Sequence, residues 1–358
     1  MPSLKEIKGR INSISSTLAI TSAMKMVAAA KLQKAQMAIQ NMLPYERRLH
    51  SMLIDLMGAM NISAAASEDG SVRGSGSAER GFDQSGDRLS LSNRHDLAGM
   101  DGAYSLMAQR EVRKVAIVAF ASNSSLCGAF NSNAIREATA VINEYRALGL
   151  RDSDIVVYSV GRKMAEAMRK LGFPSPADFT KMSDSPSYEA ASALAQELLD
   201  GFVSGRFDKV ELVYNHYKST SSQPTTRQTY LPLSLADATA DLQAGKITDP
   251  ASETDTNRVA EPVGAPVVRQ GSPTTEDLIV EPSKEALIAT LLPKVIRLRI
   301  FTTLLDSAAA EQAARTVAMQ LATDNGNDLL QELTLEYNKG RQQKITSEIL
   351  DLVGGSMQ

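Results

Sequence analysis

From Leu4 to Met60 apolar residues recur in an alternating step of three and four, through Ile7, Ile11, Ile14, Leu18, Ala28, Leu32, Ala35, Ile39, Met42, Leu49, Leu53 and Leu56. Only Thr21, Lys25 and Glu46 interrupt the step with polar side chains. A 3.5-residue repeat held for about eight heptads predicts a helix that supercoils left-handedly on a partner, because that period keeps one apolar seam turned inward. The partner segment lies at the far end of the chain, from about Pro293 to Val353, with Leu329, Leu330, Leu333, Tyr337, Ile345, Ile349 and Leu352 supplying its seam. Each segment would span on the order of 80 to 90 Å at 1.5 Å per residue, far beyond the ordinary helix of a globular domain.

Between the two ends the period changes. Residues 64–104, including Arg73-Gly74-Ser75-Gly76-Ser77, and residues 241–275, with Pro250, Pro262, Pro266 and Pro273, are too poor in large apolar side chains to offset the entropy of ordering, so both are expected to be flexible. Between them, Arg113–Ala121, Asp154–Val160, Lys209–Tyr217 and about 226–231 read as strands. Helices are expected at about 131–148, Arg162–Leu171 and about 187–204. Apolar strands separated by helices predict a Rossmann-like α/β layer with a largely parallel sheet. The expected organisation is an N-terminal coiled-coil helix over 1–62, an insertion over 63–110, an α/β domain over 111–235, a second insertion over 236–280, and a C-terminal coiled-coil helix over 281–358. The two terminal helices would form a long antiparallel pair.

Composition narrows the function classes. The chain of 358 residues is 43% hydrophobic and 22% charged, enough to bury a sizeable core. A formal net charge of -3 gives no electrostatic argument for a nucleic-acid partner. The single cysteine, Cys127, excludes a disulfide within the chain and suits a reducing compartment. No run of 18 apolar residues predicts a membrane span, and Met1-Pro2-Ser3-Leu4-Lys5 enters the heptad pattern at once, leaving no room for a leader peptide.

Catalytic chemistry is poorly represented. The loop Ser122–Phe130 follows a strand and opens a helix, the place where an α/β enzyme binds phosphate, yet it has neither the GxGxxG cradle nor the lysine of a P-loop. The preferred reading is a tight strand-to-helix turn in which Gly128 allows close packing. His50, His95 and His216 are scattered without a second ligand at metal spacing. Cys127, beside apolar residues, reads as a small packed hydrophobe. No catalytic residue, cofactor site or metal site is expected.

The remaining motifs carry a resemblance. Ile20-Thr21-Ser22-Ala23-Met24-Lys25-Met26-Val27-Ala28-Ala29-Ala30-Lys31-Leu32 near the start, and Glu311-Gln312-Ala313-Ala314-Arg315, Ala322-Thr323-Asp324-Asn325 and Tyr337–Thr346 near the end, resemble the signature segments of the gamma subunits of F-type ATP synthases. Leu126-Cys127-Gly128-Ala129-Phe130-Asn131, Val213-Tyr214-Asn215 and Leu231-Pro232-Leu233 agree in order, and the match covers most of the chain outside the two insertions. One departure is clear. The family loop reads Ser-Asp-Arg-Gly-Leu-Cys-Gly, whereas Ser122-Asn123-Ser124-Ser125 precedes Leu126 here, so no role for those charges carries over.

The resemblance implies a non-catalytic rotor subunit of a bacterial type. Its terminal helices would be the axle inside a hexamer of three alpha and three beta subunits, and its α/β domain the foot, contacting the epsilon subunit and the membrane ring of c subunits. It would transmit torque between the ion-driven ring and the catalytic sites, regulate ATPase activity and ion flow, and sit peripherally on the cytoplasmic face of the inner membrane. It implies that Lys25 and Met26 lie against Arg341, Gln342 and Thr346 to form the site of coupling and beta-subunit contact. Thr21 and Lys25, the breaks in the seam, would then mark where torque is handed over. Tyr214, Asn215 and Tyr217 would contact epsilon or the c-ring. Two other classes remain open at this level: an α/β enzyme flanked by dimerising helices, and a scaffold coiled coil.

Overall fold

The computed structural model describes residues 3–68, 106, 110–233 and 284–355. The flexible stretch expected at 241–275 lies outside them, as do all but the first residues of the one at 64–104. In chain order the elements are α1 (Leu4–Glu68), β1 (Val115–Phe120), α2 (Phe130–Ala147), β2 (Ile155–Val160), α3 (Arg162–Lys170), α4 (Thr180–Asp184), α5 (Tyr188–Val203), β3 (Lys209–Asn215), β4 (Thr225–Leu231) and α6 (Lys284–Gly355).

Two helices dominate. With 65 and 72 residues, α1 and α6 would measure about 97 and 108 Å if straight. Ser3 caps α1, its Oγ accepting from the Glu6 amide at 3.3 Å. The 3,4 step has a direct structural counterpart: each of its positions from Leu4 to Leu56 is buried or half-buried. Between Leu4 and Leu32 the only other residue not exposed is Met24. A one-sided seam is what a helix gains from a single partner, and α6 is that partner, running antiparallel. Helix α6 starts at Lys284, nine residues before Pro293, the expected start of the seam, and Pro293 sits inside the helix.

The pairing register is constant over the outer half of the shaft. A Cβ added to Gly340 would lie 3.1 Å from Leu4 Cδ2, one added to Gly326 would lie 2.6 Å from Leu18 Cδ2, and Thr323 Oγ1 donates to Thr21 Oγ1 at 3.0 Å. Each step forward in α1 is matched by an equal step back in α6. Leu330, Leu333 and Tyr337 are half-buried in this seam, but Leu329, Ile345, Ile349 and Leu352 are at least 48% exposed. The expectation that these four are seam residues is corrected: Leu329 lies off the seam, and beyond Gly340 no α1 residue remains to cover the others.

The sheet order is β2-β1-β3-β4. β1 pairs in parallel with β2 (Ile117 opposite Val157) and with β3 (Ile117 opposite Glu211), while β4 closes the edge antiparallel to β3. All six residues of β1 are buried, which accounts for a continuous apolar run rather than an alternating one. Helices α2 and α3 cover one face through Val141, Ile142, Met164 and Met168. The other face packs on α5 and on the shaft itself, with Leu49, Leu53 and Leu56 of α1 and Ile288, Leu292 and Ile296 of α6 in the same apolar cluster as Phe120 and Leu212. Shaft and foot therefore share a core.

Candidate functional site

The loops at the carboxyl ends of β1 and β3 meet the shaft. After β1, Asn131 holds the turn closed: its Oδ1 accepts from the Ser122 amide at 3.0 Å, and its Nδ2 reaches Ser122 Oγ at 2.8 Å and Cys127 Sγ at 3.2 Å. Asn123 Oδ1 accepts from the Arg162 amide at 2.8 Å, and the Arg162 guanidinium donates to the Asn123 carbonyl at 3.0 and 3.1 Å. The loop's polar groups are engaged by one another, by Arg162 and Thr180, and by Arg315 of the shaft, which supports a structural turn. Gly128 has φ +57, and a Cβ there would meet Ala318 at an ordinary 3.9 Å. Its glycine serves backbone conformation rather than the close packing expected of it. Leu126, with φ 68 and 58% exposure, takes a left-handed conformation without being glycine.

Cys127 is buried against Phe130 of α2 and Ala310 of the shaft, and its Sγ also accepts from Asn131 within the loop. Beside it Arg315 pairs with Glu311 at 2.8 Å and donates to Ser124 Oγ at 2.7 Å. Burial pushes the Glu311 carboxyl up, and Arg315 offsets only part of that shift. After β3, Asp306 of α6 accepts from the Tyr217 amide at 2.8 Å and lies 2.6 Å from His216 Nδ1. Gln36 of α1 donates to the Tyr217 hydroxyl at 2.7 Å. Neither Asp306 nor Arg315 is among the expected site residues, although Arg315 lies in one of the segments that carry the resemblance; for Asp306 the available signal is a charge interrupting the apolar face of a shaft helix.

The residues expected at the foot surface are placed differently. Tyr214 and Asn215 are buried, Asn215 donating to the Phe130 carbonyl at 3.0 Å and accepting from Thr225 at 2.7 Å, while Tyr217 is turned onto the shaft. The three are packed on the chain itself rather than presented at the foot surface, because β3 is an inner strand and its carboxyl end abuts α6.

The expected coupling cluster is also divided. The register set by Thr21 and Thr323 brings Lys25 level with about Met319, so Arg341 lies 22 residues further along α6, about 33 Å away at 1.5 Å per residue. Gln342 and Thr346 lie beyond it, both exposed, Thr346 donating to the Gln342 carbonyl at 2.9 Å. Lys25 and Met26 thus do not meet Arg341, Gln342 and Thr346, because an antiparallel pair sends the two segments to different levels. Lys25 is half-buried in the seam and Met26 is 65% exposed beside it. The other seam breaks have partners across the pair, Thr21 in Thr323 and Glu46 in Thr302 at 3.0 Å.

Such geometry defines a class: a two-helix shaft built into an α/β foot, with closed loops and, among the described residues, no cluster of metal-binding side chains. A protein-family model described as ATP synthase matches residues 3–357. The ATP synthase gamma chain of Phocaeicola vulgatus is 47% identical over 357 residues, covering 100% of both chains, and that of Flavobacterium johnsoniae is 35% identical over 99% of this chain and 98% of its own. A chain of the Euglena gracilis mitochondrial ATP synthase (OSCP/F1/c-ring, rotational state 3) has the same fold, with a TM-score of 0.54 at 18% identity over 99% of this chain and 93% of that one. The chain belongs to the ATP synthase gamma chain family.

Proposed function

We propose that the chain is the central-stalk rotor of an F-type ATP synthase, carrying torque between an ion-driven c-ring and catalytic sites that lie on beta subunits. The observation that carries this reading is the shaft: α1 and α6 share one register and run directly into the core of the foot. A 3.5-residue seam supports a left-handed supercoil, which resists unwinding in one sense. Beyond Gly340, α6 continues alone for 15 residues with Ile345, Ile349, Leu350, Leu352 and Val353 exposed, an apolar tip suited to a hexamer of three alpha and three beta subunits. Lys25 with Met26, and Arg341 with Gln342 and Thr346, act in this reading as two separate stations for contact with that hexamer. The foot contacts epsilon and the c-ring. In this reading the chain is attached through the ring on the cytoplasmic face of the membrane; no described helix is long and apolar enough to cross one.

Reconstitution tests the proposal. Mixing this chain with alpha and beta subunits should yield an ATPase that none of the parts shows alone, and adding epsilon and the membrane sector should make it pump ions. An α/β enzyme flanked by helices predicts instead that the isolated chain binds a nucleotide or substrate, which calorimetry would detect. A chain that binds nucleotide alone and fails to join alpha and beta overturns the rotor reading.

A further inference from the structure

The foot is fastened to the shaft at two levels. Towards the lower end, Leu49, Leu53, Ile288 and Leu292 press on the sheet through a largely apolar interface, which is crossed by the Tyr230 hydroxyl donating to the Ile296 carbonyl at 2.9 Å and by Arg297 donating to Gln196 Oε1 at 2.5 Å. Close packing over that area holds the two bodies together. At the carboxyl end of the sheet the contacts are polar. Asp306 accepts from the Tyr217 amide at 2.8 Å and lies 2.6 Å from His216 Nδ1, with both partner side chains about one-fifth exposed. Tyr217 in turn accepts from Gln36 of the other shaft helix, and Arg315 grips Ser124 in the neighbouring loop. Hydrogen bonds weaken steeply away from linearity, so these contacts resist rotation of the foot about the shaft.

We propose that Asp306 is a positioning residue that fixes the upper end of the foot on the shaft, acting through the loop Asn215–Thr225 to help the two turn as one body. The inference rests on the rotor reading and adds to it a named element of torsional stiffness. Asp306 works through Tyr217 and His216.

The test uses the complete membrane-bound complex carrying Asp306→Ala, with Asp306→Asn as the conservative variant that keeps an acceptor for the Tyr217 amide. In Asp306→Ala the Tyr217 amide should exchange with deuterium roughly tenfold faster, as loss of a charge-assisted hydrogen bond allows. ATP hydrolysis by the detached catalytic sector should stay unchanged, while ions pumped per ATP fall. Asp306→Asn should recover most of the pumping. Faster exchange with unchanged pumping per ATP would show a contact that only stabilises, and overturns the proposal. Should Asp306→Ala fail to assemble, His216→Ala carries the test, since it removes only a loop side chain; lower pumping in an assembled complex supports the proposal and unaltered pumping overturns it. A wild-type complex that assembles no ATPase at all refutes the rotor reading instead, so the two failures are distinguishable.

Discussion

Glu211 sits at 1% exposure on β3, ringed by donors: the Tyr145 hydroxyl at 2.6 Å, Lys209 Nζ at 2.7 Å and Arg227 Nε at 2.7 Å. Burial alone would raise its carboxyl, but the hydrogen bonds from Arg227, Lys209 and Tyr145 outweigh it and hold the group below the ordinary glutamate range. A depressed folded value means that the stabilisation is complete above the unfolded glutamate range and is lost as pH falls through that range towards the folded value. Glu211→Gln should therefore cost about 3 kcal/mol at neutral pH, as for a broken buried ion pair whose cations keep some access to water. It should also flatten the acid limb of stability, and urea titrations across pH would show both effects. Gly161 is a steric case: with φ +97, a Cβ would lie 2.0 Å from the Ala121 carbonyl oxygen. Gly161→Ala should cost at least about 3 kcal/mol, since strain and backbone displacement add. Met26 differs from both, being 65% exposed. Met26→Lys should leave the melting temperature of the chain nearly unchanged yet lower ions pumped per ATP in the assembled complex; equal pumping would refute a coupling role at that position.

At the scale of the element, the shaft uses glycine as a notch. Leu18 and Leu4 of α1 fill the space left by Gly326 and Gly340 of α6, spaced alike in the two helices. Glycine inside a helix is worse than alanine by about 1 kcal/mol, so the two notches trade local helix stability for a fixed register. The tighter one should show it. Gly326→Ala is expected to gain nothing, because Leu18 must move, whereas Gly340→Ala, with 3.1 Å to a flexible tip, should stabilise by roughly 0.5 to 1 kcal/mol. Thermal denaturation of Gly326→Ala with Leu18→Ala would return part of the propensity gain if the leucine is the obstacle. The 3,4 step made the inner face of α1 legible from Leu4 onward because a seam needs only its own period. Which residues face one another was not legible, since register depends on where the two helices start and stop. The period of α6 continues through Ile345, Ile349 and Leu352 although α1 has already ended, and the sequence carries no mark at Gly340 that the partner stops there. The strands were readable within a residue or two, yet the inward turn of Tyr217 depended on Asp306, 89 residues away.

In the whole molecule, three regions contribute to one core: α1, the α/β layer and α6. The tip of α6 lies outside that core and beyond the paired part of the shaft. Residues 341–350 are all exposed, so removal of 341–358 should leave the melting temperature of the isolated chain unaltered while weakening its association with alpha and beta subunits. Calorimetry of the truncated chain beside its binding to the hexamer would separate the two. A lower melting temperature would mean that the tip packs on the shaft after all.

The antiparallel shaft also constrains the order in which the protein can be made. Thr21 and Thr323 touch across 302 residues of chain. On the ribosome α1 emerges first and must keep its apolar seam unpaired until almost the whole polypeptide has been synthesised. The parallel strands between them can pair meanwhile, through contacts far shorter in sequence. Closure of the shaft is thus the late, slow event, and during that interval the seam is open to aggregation or to capture by a chaperone or a waiting subunit.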